Sequence, residues 1–271
     1  MKLSLTISYF ILLTVSVLAQ SNTPVAYQQL SCDSLHQLLE EIFSKDLTDT
    51  KETKAIAPAI LDATTKKNCP ALPDALNLAG ILEFNNNDPV AAKKYLSKAD
   101  SILTNNNIVT PVTVRNNLYL GLASQNANNY IGAKVYLEKA ARLSREIGFS
   151  KGILQANLNL SLGYIRERTY DKARHLLREA TIISEEIDNK LLGGYAYNSL
   201  ARTFIEQNDL ENATHYLQKA EMVWQKLNFS KGLHFVNLNF ADIQKIKGDS
   251  VLFIKHLEEA VKHSERDQSH A

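Results

Sequence analysis

The chain has 271 residues, of which 45% are hydrophobic and 22% are charged, and 30 Lys and Arg stand against 29 Asp and Glu. This is ordinary globular composition. A net charge of +1 without a basic stripe argues against an electrostatic nucleic-acid binder. Only 10 Gly and 6 Pro interrupt the chain, which favours long helices over an all-β fold.

The first predicted element is a signal peptide over residues 1–19. A positive start at Lys2 is followed by an apolar run over residues 3–18, and the small residue Ala19 places cleavage before Gln20. The alternative is an uncleaved anchor, but the run is short for a membrane span of about 20 residues. We therefore expect an exported protein, periplasmic or secreted after cleavage near Ala19, with no membrane span in the mature chain.

Residues 20–32 are predicted to be a flexible lead, and residues 33–71 a helical hairpin that caps the N-terminal end. Cys32 precedes the first helix of this hairpin and Cys69 follows the second. In an antiparallel hairpin these two ends are neighbours, and an oxidising compartment favours a disulfide between them. The alternative is a pair of buried free thiols.

Internal repetition dominates residues 72–265. A block ending in alanine recurs at residues 95–99, 136–140, 176–180, 216–220 and 256–260. The final alanines are 41, 40, 40 and 40 residues apart, and clusters of Asn, Asp and Gly fall between the apolar segments. Each unit is therefore predicted to be a helix, a tight turn and a second helix. A single hairpin cannot bury its apolar face alone, whereas a stack of five can.

The repeat resembles the tetratricopeptide repeat (TPR) family, with a step of about 40 residues instead of the usual 34 or so. The residues that carry the resemblance, besides the alanines, are Leu120-Gly121, Tyr130, Tyr164, Tyr170, Phe204 and Gly248-Asp249. The resemblance implies an all-α fold, a right-handed α-solenoid of TPR-like helical hairpins. It also implies a protein that binds other proteins.

In TPR proteins the first helix of each pair lines the concave face, and residues spaced four, three and four apart share that face. The first repeat contributes Asp74, Leu78, Ile81 and Asn85, and four further members of the stripe are Leu122, Leu162, Ser199 and Ile246. The candidate binding residues are Arg115, Tyr119, Asn126, Gln155, Asn159, Arg166, Tyr195, Arg202, Glu206, Phe235, Asn239 and Asp242.

Their chemistry suits an extended peptide. Asn and Gln side chains donate and accept hydrogen bonds, as a peptide backbone does. Tyr119, Tyr195 and Phe235 are candidate anchors, and Arg166 and Arg202 could hold a carboxylate. In long-step TPR adaptors, which the chain resembles, Asn at the position of Asn159 and Asn239 commonly holds peptide backbone. The alternative is a merely solvated groove.

The predicted function is an exported adaptor or scaffold that binds a protein or an extended peptide segment. The alternative is a ligand-sensing component whose output domain is a separate chain. Residues 148–152 match the G-x-S-x-G pattern of hydrolases, but that motif needs a strand before its Ser, and here helices flank both sides. The histidines show no metal-ligand spacing, so we predict no enzyme, cofactor or metal.

The last predicted helix is apolar on much of its surface, and a polar tail of residues 266–271 follows it. Its apolar residues are Val251, Phe253, Ile254, Leu257 and Val261. An uncovered solenoid end attracts a partner. Three arrangements fit this helix: a dimer contact, a contact with another protein, or close packing on the fourth repeat.

Overall fold

A computed structural model describes residues 24–268. The predicted signal peptide and residues 269–271 of the predicted tail lie outside the described residues. Within that range the chain forms thirteen helices and no strand. In chain order the helices are α1 Pro24–Gln29, α2 Cys32–Ser44, α3 Lys51–Lys66, α4 Leu72–Asn85, α5 Pro89–Asn105, α6 Pro111–Asn126, α7 Tyr130–Glu146, α8 Ser150–Arg166, α9 Tyr170–Glu186, α10 Lys190–Ile205, α11 Leu210–Lys226, α12 Ser230–Lys247 and α13 Ser250–Gln268.

Short turns separate the helices where Asn, Asp and Gly cluster in the sequence. The turn residue takes a left-handed conformation, with φ of 58° at Asn128 and 75° at Gly248. Asn tolerates this conformation and Gly adopts it without strain. The next amide then bonds back across the helix end, and the Asn129 N–H donates to the Ser124 carbonyl at 2.8 Å. These caps close one helix and start the next within a few residues.

The chain divides into two compact units, with unit 1 ending at Ala133 and unit 2 beginning at Lys134. In unit 1, α4 packs on α5, and a core that includes Leu35, Ile60 and Leu78 joins α2 and α3 to α4. In unit 2, the two helices of each hairpin, α8–α9, α10–α11 and α12–α13, pack on each other, and α9 and α11 also pack on the next helix in the chain. The predicted all-α fold class, a stack of helical hairpins with an N-terminal capping hairpin, is confirmed.

Small residues allow the two helices of a hairpin to approach closely. At Gly80 in α4, an added Cβ would lie 2.6 Å from Cγ of Leu96 in α5. Because real carbon atoms do not approach so closely, a larger residue at this position would separate the helices. The small residue seen in the sequence pattern therefore sets the spacing of this pair.

The flexible lead predicted over residues 20–32 is wrong for the part that the structure describes. Residues Pro24–Gln29 form α1, and Tyr27 is only 4% exposed within the unit 1 core. Gln28 also donates a hydrogen bond to Asp62 of α3 at 2.9 Å. This short helix has little intrinsic stability, so its packing on α3 holds it in place. At the other end, α13 continues to Gln268, so the predicted tail is helical as far as the description reaches.

Cys32 and Cys69 form a disulfide, and their Cα atoms are 5.4 Å apart. Cys32 is the first residue of α2, and Cys69 lies in the turn between α3 and α4. The bond therefore joins the start of the N-terminal hairpin to its end, just before the first repeat. The sequence left this pairing open against two free thiols.

Candidate functional site

The candidate residues lie on, or directly after, the first helices of the repeats, α6, α8, α10 and α12. Their exposure differs between the two units. In unit 1 the N-terminal hairpin covers this side of the first repeat. Leu78 and Ile81 are each 1% exposed and belong to the core that contains Leu35 and Ile42 of α2. The expectation that the first repeat offers these side chains to a ligand is therefore wrong, because the chain's own hairpin occupies that surface.

Arg115 on α6 is also covered by the N-terminal hairpin. Its guanidinium carbon lies 3.8 Å from the centre of the Phe43 ring in α2, and its Nη2 is 3.9 Å from Oδ1 of Asp74. Burial lowers the pKa of Arg115 to about 10, although the Asp74 charge opposes the shift. Burial also raises the pKa of Asp74 despite the nearby guanidinium. Desolvation outweighs the attraction for both partners, as in a largely enclosed ion pair.

Tyr119 is also held inside unit 1. Its ring meets the edge of Phe84, with ring centres 5.6 Å apart, and burial raises the pKa of its hydroxyl. Asn126, at the end of α6, is exposed. Of the three unit 1 candidates, the structure therefore leaves Asn126 accessible and places Arg115 and Tyr119 under the hairpin.

In unit 2 the same side of the first helices is accessible. Arg166 of α8, Arg202 of α10, Glu206 directly after α10 and Asp242 of α12 are exposed, and Leu162 is 43% exposed. Four candidates are half-buried beside them, namely Gln155, Asn159, Phe235 and Asn239. We call this surface of α8, α10 and α12 the open face.

Amide side chains cross the open face. Asn159 donates to the Gln155 carbonyl at 2.8 Å, within α8. Asn239 of α12 donates to Oδ1 of Asn198 in α10, also at 2.8 Å. This second bond uses one donor and one acceptor, and it leaves Nδ2 of Asn198 and Oδ1 of Asn239 with hydrogen-bonding capacity. Asn198 was not among the predicted binding residues, although it lies three residues after Tyr195 and four before Arg202 on the same helical face.

Tyr195 is bound into the core of unit 2. Its ring lies edge-on to Trp224, with centres 5.1 Å apart, and to Phe229 at 5.9 Å. The side chain is half-buried. Its main contacts are therefore structural, and removing it would disturb the packing of Trp224 as well as the open face.

The G-x-S-x-G pattern lies in a turn between helices. Gly148 adopts φ of 66° after α7, and Ser150 is the first residue of α8. No strand precedes this Ser, so the arrangement of a hydrolase nucleophile is not formed. Across residues 24–268 no three His, Cys, Asp or Glu side chains cluster as a metal site would require.

Apolar side chains of α13 face solvent. Val251 is 78% exposed, Ile254 and Val261 are also exposed, and Phe253 and Leu257 are half-buried. A dimer or partner contact through this helix stays a prediction. Among the described helices, none has both the length and the hydropathy to cross a membrane.

A family model described as tetratricopeptide repeat matches residues 194–222, which cover most of α10 and α11. The match falls on one of the hairpins defined by the 40-residue step. The chain carries tetratricopeptide repeats. No curated protein matches this TPR chain.

Solved structures share the fold of this TPR protein. The crystal structure of BtubC (BKLC) from P. vanneervenii has a TM-score of 0.60 and 16% identity, and the match covers 88% of this chain and 91% of that one. A putative kinesin light chain from Podosopora anserina, with nearly identical TPR-like repeats, has a TM-score of 0.56 and 16% identity, over 73% of this chain and 98% of that one. At these identities the likeness concerns the fold alone.

Proposed function

We propose that this TPR protein is an exported scaffold that holds an extended segment of another protein on the open face of unit 2. The accessibility of that face carries the proposal, because the matching side of the first repeat in unit 1 is occupied by the chain's own hairpin. TPR folds are generally non-catalytic interaction scaffolds. We therefore assign the chain a binding role and no reaction.

The groups on the open face suit an extended backbone with acidic and apolar side chains. Asn198 and Asn239 can together donate to a backbone carbonyl and accept from a backbone N–H. The exposed Arg202 offers a charge-assisted bond to an acidic side chain. Leu162 and Leu238, 43% and 36% exposed, offer apolar contact. A segment that satisfies these groups would be extended, with acidic residues among apolar ones.

Site-specific photo-crosslinking in the native host tests this assignment. A photoreactive residue replaces Leu162 or Asp242 on the open face, or Ile182 on the second helix α9, which is also exposed, as the matched control. We expect protein adducts from positions 162 and 242 and none from position 182. Equal adducts from all three positions, or adducts from position 182 alone, would contradict the proposal.

A charge reversal then tests the chemistry. Arg202→Glu should reduce the adduct yield at position 162 by about tenfold, the typical effect of losing one important interface contact. Lys226→Glu on α11, an exposed position away from the open face, is the control and should leave the yield unchanged. We avoid Tyr195→Ala, since its contact with Trp224 makes it a folding variant as well.

Export has a direct test of its own. If the predicted signal peptide is removed, N-terminal sequencing of the protein isolated from its host should begin at Gln20. A protein that still begins at Met1 would be an anchored or unexported chain. That result would contradict the proposed export but would not bear on the proposed binding at the open face.

A further inference from the structure

Unit 1 contains a cavity on residues that the proposed function does not use. It has a volume of about 440 Å³ and lies between α5 and the end of α6. The lining includes Val90, Lys93 and Lys94 from α5 and Ala123, Ser124 and Ala127 from α6 and the turn after it. A volume of this size is typical of sites for small ligands.

Two later repeats show which side chains occupy the position equivalent to this cavity. In unit 2, Lys134 stands at the position of Lys93, one repeat later in the chain. Its ammonium lies 4.6 Å from the centre of the Tyr164 ring and 3.3 Å from a carboxylate oxygen of Glu167. One cation therefore meets both a ring and a carboxylate, which are three residues apart on the same stretch of chain.

The following repeat uses the same arrangement. Arg174 replaces Lys134, and its guanidinium carbon lies 5.1 Å from the centre of the Phe204 ring. It also donates a hydrogen bond to the side-chain oxygen of Gln207. A cation over a ring, with an oxygen acceptor beside it, thus recurs at the 40-residue step.

Unit 1 keeps the cation of this arrangement but lacks both of its partners. Ser124 stands where the later repeats have Tyr164 and Phe204, and Ala127 stands where they have Glu167 and Gln207. Ser124 is buried and donates to the Leu120 carbonyl at 2.7 Å, so its hydroxyl is already used within α6. Lys93 remains exposed at the rim of the cavity, next to a second exposed cation, Lys94.

We propose that this cavity binds a small aromatic carboxylate. The ring occupies the space that Tyr164 and Phe204 fill in their repeats and lies against the Lys93 ammonium, where a cation is attracted to the ring face. The carboxylate takes the place of Glu167 and pairs with Lys93 and Lys94. A short linker suffices, because in unit 2 the ring and the carboxylate both surround one ammonium.

Ligand-observed NMR on the full chain tests the site with three probes. Hydrocinnamate carries a ring and a carboxylate, hydrocinnamide lacks the charge, and hexanoate lacks the ring. For a ligand of this size we expect hydrocinnamate to bind with a dissociation constant of about 1 mM or lower. The other two probes should bind at least about tenfold more weakly, since each lacks one of the two groups.

Variants then locate the binding. Ser124→Tyr combined with Ala127→Glu inserts the side chains of the next repeat and should abolish binding while circular dichroism and melting temperature show an intact fold. Lys93→Gln should weaken hydrocinnamate binding about tenfold, as expected for the loss of a charge-assisted contact. Lys98→Gln, at an exposed position of α5 outside the cavity lining, is the matched control and should change nothing.

Several results would overturn the proposal. These are the absence of hydrocinnamate binding up to about 10 mM, equal binding of all three probes, and binding that persists in the Ser124→Tyr, Ala127→Glu variant. A helical peptide carrying Tyr and Glu three residues apart is the fourth probe. If that peptide binds at the cavity and hydrocinnamate does not, the site recognises a partner helix instead of a small molecule.

Discussion

Trp224 is a large side chain at a repeat position that holds a small one in the two preceding hairpins. Ser144 and Ser184 stand at the same position in the two preceding hairpins, whereas Trp224 is large and 0% exposed. Two glycines make room for the indole. A Cβ at Gly194 would lie 2.3 Å from its Nε1, and a Cβ at Gly232 would lie 2.2 Å from its Cδ2. The close approach of a ring, and not backbone conformation, is therefore what requires glycine here.

Gly194→Ala should destabilise the protein by about 1–3 kcal/mol, because the added methyl group overpacks the indole. Gly163→Ala is the matched control, since Gly163 also lies within a helix but has no neighbouring atom within 4 Å of an added Cβ. There the change should stabilise by about 0.5–1 kcal/mol, as helix propensity predicts. Denaturant unfolding measures both changes. Equal stability of the two variants would contradict the described packing of Trp224.

At the scale of elements, the last hairpin contains two half-buried histidines, His256 and His263. His256 of α13 stacks on Phe240 of α12, with ring centres 5.2 Å apart, and its Nδ1 lies 3.1 Å from Oδ1 of Asn237. Burial lowers the pKa of His256 below its ordinary value of 6.5, and the nearby Lys255 charge adds to this. Burial also lowers the pKa of His263. Protonation is therefore less favourable in the folded hairpin than in the unfolded chain.

The stability of the protein should therefore depend on pH. Because the unfolded chain takes up protons first, the free energy of unfolding should fall as pH drops through about 6.5 and level off below the folded pKa values. Urea unfolding at several pH values measures this fall, which should be smaller in a His256→Gln, His263→Gln variant. His175→Gln, at an exposed position of α9, is the control. The comparison between variants matters, since the raised pKa of Asp74 acts in the opposite direction.

At equivalent positions of successive second helices, the side-chain charges are exchanged from one repeat to the next. Arg145 of α7 pairs with Glu179 of α9 at 2.8 Å, and Asn157 of α8 donates to the same carboxylate at 2.9 Å. One repeat later the same three positions hold Glu185, Tyr197 and Lys219. Tyr197 now donates to Glu185 at 2.8 Å, and the Lys219 ammonium lies 5.5 Å from its ring. Opposite polarity at equivalent positions disfavours pairing of the wrong repeats.

The sequence predicts the repeating elements well because each one is specified locally. Three kinds of position recur at a fixed step: a small residue such as Gly80, a turn residue such as Asn128 and the alanine at the end of each block. This recurrence predicts the hairpins and their order along the chain. The first-helix residues of the open face follow from helical spacing in the same way. A spacing of four residues from Tyr195 predicts Ser199 for this face, whereas a spacing of three leads to its neighbour Asn198.

The contacts of the N-terminal hairpin could not be predicted from the sequence. Nothing in its local pattern indicates that Phe43 lies against Arg115, because that contact joins helices far apart in the chain. The short helix α1 has no hydrophobic periodicity of its own. It is stabilised by the burial of Tyr27 in the core and by the hydrogen bond from Gln28 to Asp62. Two candidate residues, Arg115 and Tyr119, were therefore assigned to a ligand although the protein itself covers them.

At the scale of the whole molecule, stability in a repeat protein is close to a sum of local contributions and contacts between neighbours. The N-terminal hairpin contributes through its core and its disulfide. Leu35, Leu39 and Ile60 are each fully buried, and burial of such a side chain stabilises by about 1.5–3 kcal/mol. The disulfide spans 37 residues of sequence, and a bond of this kind stabilises by about 2–4 kcal/mol. The core outweighs the disulfide, so reduction should weaken the hairpin without detaching it.

Hydrogen exchange with mass spectrometry can test this locality. Cys32→Ser combined with Cys69→Ser should lower the stability of the hairpin region by about 2–4 kcal/mol. Amides in α1 to α4 should then exchange faster, while those in α10 to α12 should keep their protection, because perturbations in a repeat array stay near their origin. A reductant should reproduce the effect in the native chain and have none in the double variant, which controls for side effects of the reductant. If α10 to α12 lose as much protection as α1 to α4, the chain unfolds as one cooperative body, and the sum of local terms does not describe it.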